Sequence, residues 1–347
     1  MIKKQDSIEF PFPKPPPPGE IVEIDTGIFW ARMPLPMLID HVNVYIMEEE
    51  NGLTIIDTGL NVTVCRQAWV DLFRSFFDGK QIKTVLITHH HPDHVGLLGW
   101  FVENYSARVL ISRTSWLLAR MLYFDKQDKP TSQTLEFWRK AGMERDIFEK
   151  KILERPFNFA DGVAYIPLGF EALSNGQIVK LGGKEWRVEF GNGHAPDHIT
   201  LWGIETPIVF SGDQIIPGIS SNLGVYPTEP ELDTVGGWLE SCERFEKIAS
   251  SNHLVLPGHK LPFTGLRERL VQLLENHLQA LERIETLLSK KPSTAVDLFY
   301  TLFKRNIKIS EYGLALAEAV GHINYLKARD KLEWRIRCDG AFLYSLK

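Results

Sequence analysis

Three cysteines in 347 residues, at 65, 242 and 338, are too few and too scattered for a disulfide framework. None forms a Cys-x-x-Cys pair, so any metal must be held by nitrogen and oxygen donors. No apolar run approaches the roughly 18 to 20 residues that a bilayer span requires, which excludes a transmembrane protein. Residues 1 to 12 carry Lys3 and Lys4 with no apolar stretch behind them, so a secretory signal is not expected and a cytoplasmic location is. Neither sign of charge dominates. With 39 Lys and Arg against 44 Asp and Glu, net −5, a chain devoted as a whole to nucleic acid or anionic membranes is excluded, although a local basic region is not.

What is present is an ordinary globular composition, 44% apolar and 11% aromatic, long enough for two domains at about 150 residues each or one large domain with an appendage. Residues 1–19 read as a proline-rich arm, because 11–18 (PFPKPPPP) hold six prolines and offer few backbone donors; the arm is expected to lie as a strap on its own domain. Short strand-like runs follow at 21–24, 28–31, 42–47 and 53–56, then a helix from 62 to 77 and a β-branched strand at 84–88. That order is α/β and layered. A helix over 95–105 and a strand over 107–112 come next. From 115 to about 153 the pattern turns helical and heavily apolar, broken once by Pro130, and residues 115–170 are expected to form a helical insertion that either roofs a site or uses its aromatics for core packing. Strands return at 177–181, 186–191, 200–202, 208–211 and 254–256, with a helix over 236–249.

From residue 263 the chain predicts helices over 263–289, 293–305 and 311–328, then a hairpin turned at Asp339-Gly340, which together suggest a winged-helix-like C-terminal domain over 263–347. From Lys290 onward there are 11 Lys and Arg against 6 Asp and Glu, net +5, leaving −10 for the rest. That bias favours a nucleic-acid contact; a docking domain is the plainer reading.

The chemistry concentrates at Thr88-His89-His90-His91-Pro92-Asp93-His94, directly after an apolar strand. Three imidazoles and a carboxylate at alternating positions on such a turn can converge on a small volume, and neutral imidazole with carboxylate suits Zn, Mn or Fe. One turn cannot fill two coordination spheres. More donors stand at other strand ends, each beside a glycine that lets the backbone approach closely: His194 in Gly191-Asn-Gly-His, Asp213 in Phe210-Ser-Gly-Asp and His259 in Leu256-Pro-Gly-His.

These motifs, in this order, resemble the metallo-β-lactamase fold superfamily, whose His-x-His-x-Asp-His is present as 89, 91, 93 and 94. The resemblance spans about residues 20–262 and implies an αββα sandwich with a dinuclear site on one edge. It implies His89, His91 and His194 for the first metal, Asp93, His94 and His259 for the second, Asp213 as the bridge, and Asp57 as support for a ligand histidine. Two divalent ions, zinc foremost with manganese or iron as alternatives, would share a hydroxide available at neutral pH and polarise the bond attacked. Asp93 and Asp213 are therefore the expected catalytic carboxylates, Asp93 also relaying a proton.

Less specific expectations complete the site. Thr88 lies beside the ligands, and His198 is expected to prop His194 or a neighbouring loop. Tyr226 and Asn222 are candidate oxyanion donors, with Asn222 and His41 as substrate contacts at the pocket mouth. His90 should point away, and His253, His277 and His322 read as structural.

For substrate, β-lactam hydrolysis would need export, and flavodiiron chemistry a Glu at His91 and a flavodoxin domain. The layout is similar to glyoxalase II-like thioesterases and lactonases, as in bacterial members with a winged-helix-like tail. Hydrolysis of a small acyl ester, thioester or lactone is therefore the leading expectation. An endoribonuclease or phosphodiesterase is the alternative, and a mononuclear-iron dioxygenase a lesser one. A homodimer through the arm or the tail is left open.

Overall fold

The computed structural model describes residues 8–37 and 39–347; the first seven residues of the proline-rich arm lie outside them. Fourteen strands are present among these residues: β1 (Val22–Asp25), β2 (Ile28–Pro34), β3 (His41–Glu49), β4 (Gly52–Ile56), β5 (Ile82–Leu86), β6 (Arg108–Ser112), β7 (Glu171–Leu173), β8 (Ile178–Leu181), β9 (Lys184–Gly191), β10 (His198–Gly203), β11 (Ile208–Gly212), β12 (Leu254–Pro257), β13 (Leu332–Ile336) and β14 (Phe342–Leu346). The α-helices are α1 (Thr63–Phe76), α2 (Pro92–Val95), α3 (Leu98–Tyr105), α4 (Arg113–Phe124), α5 (Ser132–Lys140), α6 (Arg145–Lys151), α7 (Phe159–Gly162), α8 (Thr234–Glu246), α9 (Leu266–Leu288), α10 (Phe299–Phe303) and α11 (Tyr312–Ala328).

β1 to β7 form one sheet in sequence order, and a second runs β12-β11-β10-β9-β8. The sheets face each other across one apolar layer, Tyr45, Ile56, Leu86 and Leu110 from the first meeting Val188, Leu201, Phe210 and Leu256 from the second. Helices cover the outer faces because their apolar residues recur on one side. α1 buries Cys65, Ala68, Trp69 and Leu72 with Phe101 of α3 against the first sheet. α8 does the same for the second with Val235, Trp238, Leu239, Cys242 and Phe245. This is the expected αββα sandwich.

The topology decides where chemistry collects. β4, β5 and β6 run parallel in one sheet, β11 and β12 in the other. Their carboxyl ends lie on one edge, and ligands gather outside the carboxyl ends of such strands. The segments after β4, β5, β11 and β12, and the β9–β10 turn, carry Asp57, His89–His94, Asp213, His259 and His194 to that edge.

Several expectations need correction. β7 went unrecognised, since a three-residue strand is too short for a period to show. The helix expected over 293–305 is a 3₁₀ turn, Val296–Leu298, followed by the short α10. The insertion does not roof the site. Its Ala141 and Met143 enter the core under the second sheet, where Phe137, Trp138, Ile147 and Phe148 also pack; Trp116 stacks on Phe170 at 4.5 Å. Those aromatics serve core packing, the second of the two roles expected for them. The arm runs along its own chain, Glu9 and Thr264 exchanging backbone hydrogen bonds. No helix among the described residues is long and apolar enough to cross a membrane.

Candidate metal centre

Hydrogen bonds behind the imidazoles set their tautomers. Asp57, held at φ 59 just past β4, accepts from the Thr88 amide and hydroxyl, both at 2.8 Å, and from His94 Nδ1 at 2.7 Å. Thr88, having given its hydroxyl proton to Asp57, accepts from His89 Nδ1 at 3.0 Å. His194 Nδ1 donates to Asn222 O at 3.0 Å and His259 Nδ1 to His41 O at 2.8 Å. An acceptor behind Nδ1 fixes a proton there, so the Nε2 atoms of His89, His94, His194 and His259 all face inward.

Three donor groups result, the atoms within each lying no more than 4.8 Å apart: His89, His91 and His194; His89, His94 and Asp213; Asp93, His94 and His259. Asp213 faces both sides, Oδ2 lying 3.6 Å from His194 Nε2 and 3.2 Å from His259 Nε2, with Oδ1 3.4 Å from His94 Nε2. Glycine makes this closeness tolerable. A Cβ on Gly258 would come 2.2 Å from Asp213 Oδ1 and 2.8 Å from His94 Cε1.

Metal ions fit this donor set. Nε2 of His94, Nε2 of His194 and Oδ1 of Asp213 are buried without any hydrogen-bond partner, a state costing about 1–3 kcal/mol per group that a shared cation relieves. Burial, reinforced by neighbouring imidazoles, pushes His89 and His91 well below the usual histidine value, so both rings are neutral, the form that can donate to a metal. Burial acts on His94 and His259 in the same sense, but Asp213 and Asp93 outweigh it and hold both rings protonated, His259 with a pKa of about 10. Burial would likewise raise Asp213, and the His259 and His94 charges instead keep it well below the carboxylate range. Protons on these rings thus occupy the electrostatic role of a divalent cation, and metal uptake must release them.

All seven expected ligands meet here, with Asp57 and Thr88 directly behind. His90 falls outside every donor group. His198 braces a neighbouring loop, one of the two roles expected for it, and not His194: its Nε2 accepts from the Asp213 amide at 3.1 Å and its ring stacks on His89 at 4.5 Å. His41 is not a substrate contact. Its Nδ1 lies 2.6 Å from Asp40, its Nε2 accepts from the Lys260 amide at 3.0 Å, and it is absent from the cavity wall, so it props the His259 loop. Asn222 lines the cavity but is no oxyanion donor, because its side-chain amide is committed to Leu314 O at 3.2 Å and Glu318 Oε2 at 2.7 Å. Tyr226 lines the cavity and is 47% exposed, which places it toward solvent.

A cavity of about 900 Å³ opens over His91, Asp93, His194, Asp213 and His259. Its opposite wall comes from Ile216, Ile219 and the C-terminal helices, through His277, Ala280, Leu302, Phe303, Leu314, Ala315 and Glu318; of the insertion only Phe157 reaches it. Sequence reasoning missed this wall. One signal was available: α11 is apolar on nearly every face, burying Ala315, Leu316, Ala317 and Ala319, and a lone Glu318 inside such a helix needs a reason.

The family description "Metallo-beta-lactamase superfamily" matches residues 38–285, and "Metallo-beta-lactamase-like, C-terminal domain" matches 281–346. The chain belongs to the metallo-beta-lactamase superfamily, and its His and Asp cluster is that of a metallo-hydrolase. A crystal structure of a beta-lactamase domain protein from Burkholderia ambifaria superposes with a TM-score of 0.89 at 30% identity, covering 98% of each chain. "Probable metallo-hydrolase YqjP" of Bacillus subtilis is 24% identical over 87% of this chain and 92% of its own. "Acyl-coenzyme A thioesterase MBLAC2" of Gallus gallus is 25% identical over 74% of this chain and 84% of its own.

Proposed function

We propose that the protein hydrolyses a small acyl ester, thioester or lactone with two divalent ions, zinc foremost and manganese or iron as alternatives. His89, His91 and His194 would hold one and Asp93, His94 and His259 the other, with Asp213 available to both. Bound there, such ions lower the pKa of water from about 15.7 to about 7 and polarise the carbonyl under attack. Asp57, through His94 and Thr88, holds the donors in register; Asp93, on the cavity wall, orients the attacking water and passes its proton toward the leaving group. Free Cys65, Cys242 and exposed Cys338 suit a reducing compartment such as the cytoplasm.

The observation that carries the acyl reading is the wall facing the donors. Ile216, Ile219, Leu302, Phe303, Leu314 and Ala315 offer an apolar arm about 25 cal/mol per Å² of surface covered. The guanidinium on that wall, Arg305, is tied to Glu311 at 2.7 and 2.8 Å, so it does not wait for a phosphate. The thioesterase activity printed for the Gallus gallus relative points the same way. The rival reading gives the basic tail to nucleic acid as a winged-helix-like module. Six of its eleven cations, Arg305, Lys327, Arg329, Lys331, Arg337 and Lys347, already pair with carboxylates, which weakens it.

The test is a panel. Metal analysis should return close to two equivalents per chain, and thioesters or lactones should turn over while single-stranded RNA does not at any salt concentration. RNA cleavage that disappears in the R329A/K331A/R335A variant, with ester turnover absent, would make the protein a nuclease. A single iron consuming oxygen with a persulfide would make it a dioxygenase.

A further inference from the structure

The cavity wall formed by the loop after β11 and the C-terminal helices presents lone pairs and spends its own protons elsewhere. Both amide protons of Asn222 are engaged, by Glu318 Oε2 and Leu314 O, which leaves Asn222 Oδ1 an acceptor. His322 Nδ1 lies 2.9 Å from Glu318 O, a group that can only accept, so the proton is on Nδ1 and Nε2 accepts from His277 Nδ1 at 3.4 Å. His277 Nε2 is then bare and takes the hydroxyl proton of Ser220 at 2.7 Å, turning the Ser220 lone pairs outward. Burial keeps both rings neutral, pushing His277 down to about 3 and His322 to about 4.

Glu318 completes the set. Its Oε2 is held by Asn222, its Oε1 carries no hydrogen bond, and no Lys or Arg pairs with it among the described residues. The titratable groups around it, His277 on α9, Tyr226 beyond β11, His322 on its own helix and Arg305 with Glu311 before α11, supply no free cation. Glu318 is half-buried, and desolvation without a neighbouring cation pushes its carboxyl up to about 7.

We propose that Glu318, with Ser220 and Asn222, forms a subsite that recognises an N–H donor, amide or ammonium, on the arm of the substrate. Calling that arm part of an acyl substrate rests on the function proposed above; the preference for a donor does not. Acceptors left bare by a ligand without a donor are desolvated for nothing, which makes such a subsite selective.

The experiment is calorimetric titration of the metal-loaded full chain at pH 8 with N-hexylacetamide, its ketone isostere bearing a methylene in place of N–H, and hexylammonium. The wild-type protein should bind the amide about tenfold more tightly than the ketone. E318L should erase that preference and S220A reduce it. E318Q, whose amide oxygen must take the Asn222 hydrogen bond and so turns its NH2 toward the cavity, should lose both the amide and the ammonium preference, and it reads the same contact if E318L folds poorly. Equal binding of amide and ketone by the wild type, or an undiminished preference in both Glu318 variants, overturns the subsite. An acyl-ester panel run alongside separates the two claims: preference without turnover sinks the proposed function alone, and turnover without preference sinks the subsite alone.

Discussion

Residues 113–170 and 266–328 are both helical and rich in apolar side chains, and both lie near the donor edge. They do opposite jobs. In the insertion the large rings satisfy one another, Trp116 on Phe170, with Arg139 over Phe148 and Lys151 over Trp138, and Glu144 receives the Tyr312 hydroxyl of α11. It buttresses the C-terminal helices instead of covering the donor cluster. α11, by contrast, places Ala315 and Glu318 on the cavity, and small side chains there leave volume unfilled. Bulk next to a site tends to fill space, and a run of small residues tends to create it.

Four substitutions test that contrast, in descending order of effect. The floor serves both regions alike, so Asp213→Ala should cut turnover of every active substrate by about 10³-fold, as measured by kcat/KM over the whole panel. Unequal losses across the panel would mean that the floor also selects. On the C-terminal wall, Phe303→Ala should cost long-arm substrates about 10- to 200-fold in kcat/KM while a short acetyl ester is spared; a uniform loss would remove the wall from substrate binding.

The third concerns pH. Glu318 has a folded pKa of about 7 against the usual 4.5, so the folded state binds the extra proton between those values. Wild-type stability is therefore lost as pH rises across that window. The stability of Glu318→Gln relative to wild type should climb from pH 4.5 to 7 and level off above, by no more than about 3 kcal/mol in urea unfolding. A flat difference would place the carboxyl in contact with water. The smallest effect on chemistry belongs to the insertion. Trp116→Ala should lower stability by on the order of 2 kcal/mol, below the range for a fully buried Trp, and leave the substrate ranking intact. A reordered ranking would break the contrast.

Legibility followed the range of the interactions. The seven donors could be read because metal chemistry demands rare residue types at close spacing, and glycines such as Gly258 mark where backbones nearly touch. Asp57 was readable by likeness. The backing of His259 by His41 was not, since a backbone carbonyl carries no residue signature. Asn222 illustrates a different failure: its amide reads as a donor until Glu318, far along the chain, consumes it.

Sequence alone determined the layered α/β class and the donor set, because side-chain period and ligand chemistry are local properties of the chain. Only the tertiary structure decided which helices bound the cavity and which of its polar groups still have a proton to give. Those outcomes depend on contacts between residues nearly a hundred positions apart, such as Asn222 with Glu318, and no local pattern encodes them.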